Sequence, residues 1–506
     1  MKYLFVVLLL LLAVASLGVR FSQPDLQTDR PVIYWVTDKN PARELQVERF
    51  HAWLVSEGHV DENGEPAVQL RLDMGNSEDS KKIIQSISGV GGDLMDTGGP
   101  TMRFLQAMGV LVDLTDHAQE NGYGLDQTYP ALAPDLSIDG RQYRYPANVA
   151  ARMVWVNPAV FEQLGLEPPP KRWTWDQFEE LGIAFRDRAN PPGTSPSDRR
   201  FLSDKFDSTV MAMTNGIVPL NETLTASALN DPRYVDVMET YKRWVYELNI
   251  LPSPDDMAAV TAAQGYGGAG LQLFGRSQYG MFEGGRYHLI QIRRFPQLGQ
   301  LRVVEPPHNE LPVTTLQSRA VVLYAGSDRP DLGRLFLEFL ASESYNSTIV
   351  EDADALPPNP KFTRTDAFER PPQFPNEWGT HEVFRDAAET IAVPGAYSPY
   401  VLPSVVNRER SDKFQAFISG RLTAEEAAQA SADAIDERIA SELQRKPELR
   451  EAYERDRAMQ EKIDALKAEG RPIPASWIKN PFHRYYYAQQ GLLLDDSAAP
   501  ATEAAS

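Results

Sequence analysis

The sequence predicts an α/β chain of two or three domains, with an added α-helical extension at its C-terminal end. Three observations carry this. Strand-like and helix-like runs alternate from Pro31 onward, an order that implies parallel strands joined by crossover helices. The 506 residues have a globular composition, 42% hydrophobic and 24% charged, and a chain this long splits into more than one core. After about Arg421 the texture changes to alanine-rich and charged helical runs.

The net charge of −20 argues against nucleic acid or anionic lipid as the main partner. There is no cysteine, which removes disulfides, thiol catalysis, cysteine-ligated zinc and the cysteine used for bacterial lipid attachment. Met1-Lys2 precedes an apolar run from Tyr3 to Val19 that ends at Arg20. Residues 1–30 are therefore expected to be an export signal or a retained N-terminal membrane anchor, since the run is also at the lower limit for a spanning helix.

Pro31–Thr37 is a short strand, and Asn40-Pro41 caps a helix whose apolar face is Val47, Phe50 and Leu54. Val68–Met74 alternates as a strand. A helix around Lys81–Ser88 is expected to turn Ile83, Ile84 and Ile87 inward. Asp93–Met95 is a strand ending at Asp96-Thr97-Gly98, followed by a helix toward Met108. Asp139-Gly140 signals a hairpin, and Met153–Val156 a strand. Thr174 to Gln177 is a capping box opening a helix. Pro232–Leu248 is amphipathic, Ala320–Tyr324 a buried strand, and Asp331–Leu340 a helix with Phe336 and Phe339 inward. Thr423–Glu442 and Glu448–Glu469 are charged helices, and Phe482–Tyr487 is an aromatic patch.

Several motifs fail on context. Asp96-Thr97-Gly98 matches the aspartic-protease triplet, but no second such triplet exists to share the proton. A strand end feeding a helix is instead where open α/β sheets bind ligands. Gly265–Gly270 fits a dinucleotide fingerprint without the preceding strand it needs, and reads as a mobile glycine loop. The seven histidines have no metal-ligand spacing. No metal and no cofactor are expected. The stretch Tyr279–Tyr287 pairs a strand-like run with Gly284-Gly285 and then Arg286 and Tyr287. Such glycines let backbone come close to something.

Six segments in order then resemble the large sugar-binding family of extracellular solute-binding proteins of ABC importers, the maltose-binding-protein-like group. They are Val32–Asp38; Gly92–Leu114; Tyr145–Asp176 with Trp155-Val156-Asn157-Pro158; Tyr279–Tyr287; Asp331–Leu340 with Leu356-Pro357-Pro358; and Ser419–Ala427. The resemblance implies a periplasmic-binding-protein-like fold, two α/β lobes joined by hinge strands. Lobe 1 would take 31–147 and 313–359, and lobe 2 would take 148–312 and 360–440. Residues 441–494 would be a helical extension and 495–506 a disordered tail.

The resemblance also implies a function without chemistry. A sugar would be captured between the lobes and delivered to ABC permease subunits by a monomer in the periplasm or another extracytoplasmic space. Tyr287 takes the position of an aromatic that stacks on sugar rings, next to Gly285 and with Arg286 as a forked donor. Trp35, Thr37 and Asp38 occupy the loop after the first strand, and Asp96, Thr97 and Gly98 the second. Asn148, Arg152, Tyr397 and Asn407 complete the candidate contacts. An exported carbohydrate-active enzyme built on acidic pairs, or a membrane-tethered scaffold using the C-terminal helices, are the competing readings. The extension could pack on lobe 2 or dock the permease, and packing is preferred.

Overall fold

The computed structural model describes residues 30–204, 208–259 and 268–495. The N-terminal segment expected to be an export signal or anchor, Gly265–Gly267 of the glycine loop and the tail beyond residue 495 lie outside the described residues. No described helix is long and apolar enough to cross a membrane.

Strand β1 (Val32–Val36) pairs in parallel with β2 (Gln69–Asp73) and with β3 (Leu94–Thr97), the arrangement that alternating strands and helices dictate. Helix Ala42–Ser56 makes the first crossover; the Asn40 side chain accepts from the Ala42 N–H at 3.0 Å. Phe50 and Leu54 of that helix are fully buried beside Trp35, Phe336 and Phe339.

Helix Asp79–Ile87 departs from expectation. It buries Lys82 and Ser86 and leaves Ile84 64% and Ile87 47% exposed. The cause is the Lys82 ammonium, which donates to the Asp96 carbonyl at 2.6 Å and pairs with Asp79 at 2.7 Å. A buried ammonium must keep such partners, so the helix turns Ile84 and Ile87 out while Ile83 stays partly buried against Val36, Met95 and Met102 as expected.

The hairpin β4 (Ser137–Ile138) to β5 (Arg141–Gln142) turns on Asp139 and Gly140, both at positive φ, as a type I′ turn requires. Strand β6 (Arg144–Ala151) follows, then Arg152, then β7 (Met153–Val156). Here the chain changes sheets. Strands β8 (Phe201–Ser203), β9 (Tyr279–Gly284) and β10 (Arg302–Val304) form the second sheet with β7, in the order β10-β7-β9-β8.

The chain crosses back through 305–313 into β11 (Thr314–Leu323), which pairs antiparallel with β6 and β3. Strand β12 (Ala392–Pro394) pairs in parallel with the start of β11. The first sheet thus runs β12-β11-β3-β1-β2, with β6 also on β11. A third crossing leads from β12 to helix Pro403–Ile418, which shares an apolar cluster with helices Pro232–Tyr246 and Ala424–Arg445. The capping boxes at Thr174 and Thr423 both form.

The C-terminal extension packs on the second half of the chain. It contains helices Arg450–Ala468 and Pro481–Gln489 and the parallel pair β13 (Ile473–Pro474) and β14 (Leu493–Leu494). Its anchor is Glu222, 2% exposed, which accepts from Lys467 at 2.8 Å, Gln460 at 2.7 Å and Tyr487 at 2.5 Å. Burial alone would raise this carboxyl, but His483, Lys467 and the Tyr487 hydroxyl together hold it down to about 2. A carboxyl held low in the fold contributes stability above its ordinary value, and that contribution is lost as pH falls through the folded value. Urea midpoints measured between pH 4.5 and 2 should therefore fall more steeply for the native protein than for Glu222→Gln.

Candidate functional site

The carboxyl ends of β1 and β3 meet β6 and β11 at the junction of the two sheets. Thr37 and Asp38 follow β1, Asp96 and Thr97 end β3, Asn148 comes from β6, and Gln317, Ser318 and Arg319 from β11. With Arg43, Lys82, Asp354 and Tyr287 they line a cavity of about 430 Å³. A second cavity of about 450 Å³ is lined by Arg152, Asp204, Phe282, Glu283, His288 and again Tyr287. Tyr287 thus stands between two compartments, each within the range of about 300–1,000 Å³ usual for small-molecule clefts.

Paired charges floor the first compartment. Asp96 accepts from the Trp35 indole at 2.8 Å, the Thr37 hydroxyl at 2.5 Å and Arg319 at 3.1 Å. Arg319 also reaches Asp354 at 3.3 Å, and Arg43 joins Asp354 at 2.5 Å to Asp38 at 2.7 Å. Burial would raise the Asp354 carboxyl, but Arg43 and Arg319 hold it well below the usual range. Its neighbour Asp352 moves the other way, raised by burial and by the Asp354 charge. With the ions paired among themselves, the hydroxyls of Thr97 and Ser318 and the Nε of Arg319 are buried without a hydrogen-bond partner. Buried polar groups of this kind favour a ligand that offers hydroxyls or amides.

Tyr287 owes its place to the glycines before it. A Cβ on Gly285 would lie 2.3 Å from the Tyr287 ring, and one on Gly284 would lie 2.4 Å from His288. The two rings fold back over this bare backbone, with centroids 4.3 Å apart. Burial keeps His288 neutral, its value lowered to about 4.

The structure brings together Thr37, Asp38, Asp96, Thr97, Asn148, Arg152 and Tyr287, and Gly285 shapes the last of these. Five expectations need correction. Arg286 does not face the cleft: it is 1% exposed and donates to the carbonyls of Ala355 at 2.6 Å, Val350 at 2.9 Å and Ile349 at 3.2 Å, and to His381 at 3.0 Å. It closes the carboxyl end of helix Glu343–Asp352, where a cation is favourable. Burial and Arg293 lower it to about 10, so it stays charged. Trp35 is fully buried against Phe336 and supports the cavity from beneath, through its indole on Asp96 and its ring under the Arg319 guanidinium at 5.4 Å. Gly98 is the residue that precedes helix Gly99–Ala107, Tyr397 is held by its hydroxyl on Asp135 at 2.6 Å, and Asn407 is exposed on helix Pro403–Ile418. None of these three lines either compartment.

Sequence reasoning missed Arg43, Lys82, Ser318, Arg319 and Asp354. Arg319 had a signal, since Gln317-Ser318-Arg319 places polar residues directly against the buried run Ala320–Leu323. Asp354 had none. It sits between Ala353 and Ala355, both at positive φ, a conformation that alanine does not advertise.

Comparison with known proteins agrees with this fold. Residues 61–347 match the family described as bacterial extracellular solute-binding protein. The chain is 24% identical over 271 residues to the diacetylchitobiose binding protein of Streptomyces coelicolor, covering 52% of this chain and 60% of that protein. An ABC substrate-binding protein from Listeria monocytogenes in complex with cycloalternan is similar in fold. Its TM-score is 0.66 at 19% identity, over 81% of this chain and 99% of that one. The maltose/maltodextrin-binding domain from Bdellovibrio bacteriovorus bound to maltotriose gives a TM-score of 0.61 at 17% identity, over 81% of this chain and all (100%) of that one. These relatives are binding proteins, and their fold is the periplasmic-binding-protein-like fold of two α/β lobes. This chain belongs to the bacterial extracellular solute-binding proteins.

Proposed function

We propose that the protein captures an uncharged oligosaccharide between its two lobes, outside the cytoplasm, and as a monomer delivers it to the permease of an ABC importer. The observation that supports this most is Tyr287, an aromatic face between two compartments of about 430 and 450 Å³. The paired charges of the floor leave the Thr97 and Ser318 hydroxyls and the Arg319 Nε without partners, which suits rings bearing hydroxyls and amides. The relatives that bind diacetylchitobiose and maltotriose support the same class of ligand. In this reading lobe 1 comprises 31–147 and 313–359, and lobe 2 comprises 148–312 and 360–440, with β12 reaching back into the first sheet. Residues 1–30 carry the chain across the membrane.

Calorimetric titration with maltotriose and di-N-acetylchitobiose tests the proposal. Binding without turnover is expected, and release of shortened sugars would overturn it. Tyr287→Ala should weaken binding about tenfold or more while leaving the melting temperature nearly unchanged. Gly285→Ala should weaken it too, because its methyl group displaces the same ring. Equal affinity in both variants would remove Tyr287 from the site.

A further inference from the structure

The C-terminal extension covers the crossing at 305–313 and strand β12, from which the third crossing departs. Tyr485 donates its hydroxyl to the Pro312 carbonyl at 2.7 Å, just before β11 begins. Phe482, 2% exposed, shares one apolar cluster with Leu311 and Val313 of the crossing, Val393 of β12, and Met213 and Val218 of the second half. The same helix is fastened to that half: Asn480 donates to the Leu220 carbonyl at 2.9 Å and Tyr487 to Glu222 at 2.5 Å. Neither Phe482 nor Tyr485 lines either compartment of the cleft.

We propose that helix Pro481–Gln489 is a hinge brace. Phe482 and Tyr485 are positioning residues that hold segments 311–313 and 392–394 against the second lobe, and so limit how widely the lobes swing before ligand arrives. This inference rests on the reading of the cleft as a ligand site. Closing two lobes on a ligand costs the freedom that the open protein had. A hinge that is already restrained gives up less on closing, so the brace raises affinity without touching the ligand. Its removal should cost about fivefold in affinity, the lower end of the usual range for coupling between sites.

The test uses the full chain with two variants, Phe482→Ala and Tyr485→Phe, the second removing one hydroxyl so that folding is kept. Hydrogen exchange is measured without ligand, and affinity is measured for maltotriose and di-N-acetylchitobiose. The hinge amides to follow are those of Thr314, bonded to the Ile391 carbonyl, and Arg152, bonded to the Thr315 carbonyl. Both variants should exchange these amides faster, and whichever sugar binds the native protein should bind the variants about fivefold more weakly. Native protection at the hinge, or native affinity, together with faster exchange in 473–494 would overturn the brace. If neither sugar binds the native protein, the ligand reading fails and the hinge amides alone decide whether the brace exists.

Discussion

Asp354→Ala is expected to lower stability by about 3–5 kcal/mol, the usual result of removing one member of a buried ionic network. Asp354 is 1% exposed and takes donors from Arg43, Asn40, Gln46 and Arg319. Without it, the guanidinium groups of Arg43 and Arg319 face each other with only Asp38 and Asp96 to balance them. Arg319 already acts to lower Arg43, and the carboxylates of Asp354 and Asp38 are what hold Arg43 above its ordinary value. Urea denaturation should show a reduced midpoint with an unchanged slope. The double variant Asp354→Leu with Arg43→Met should regain much of the loss, since apolar replacement of a whole buried pair is often neutral. A single variant as stable as the native protein would mean that water screens this network.

Arg286→Met is expected to cost about 3 kcal/mol. The substitution keeps an apolar side chain of similar reach but removes the guanidinium that overlies the Phe368 ring at 4.7 Å. It strips the donors from three buried carbonyls, those of Ile349, Val350 and Ala355. Arg286→Lys should rescue little, because one ammonium cannot reach carbonyls placed for a planar fork. Thermal melts of the two variants measure this directly. Native stability in Arg286→Met would show the carbonyls to be satisfied in another way. The contrast with Tyr287→Ala, which should spare stability, separates adjacent residues with opposite duties.

Much of the fold was legible because its signals are local. Alternating strands, the Asp139-Gly140 turn and the capping boxes at Thr174 and Thr423 all depend on neighbours within a few residues. The candidate site was legible only where position along a strand decides the outcome, as at the ends of β1 and β3. Arg286 was misplaced because sequence gives its distance from Gly285 but not the direction of its side chain. That direction is set by helix Glu343–Asp352, more than fifty residues away. Helix Asp79–Ile87 misled for a related reason. Its apolar spacing pointed Ile84 and Ile87 inward, while the need of one lysine for the Asp96 carbonyl turned them out. The network around Asp354 joins residues more than three hundred positions apart, and no pattern along the chain announces such a meeting.

The hydrogen bond from Tyr485 to Pro312 spans 173 residues of sequence, and this separation bears on how the protein assembles. Contacts so distant form late, because a long loop must close before they are rewarded. Both sheets can assemble from residues up to Pro394 before the final helix docks. Until that helix docks, segment 305–313 and strand β12 lack their cover. At that stage Leu311, Val313 and Val393 offer apolar surface to proteases and to other chains. Limited proteolysis during refolding should cut first in these segments and lose access to them as the last helix docks.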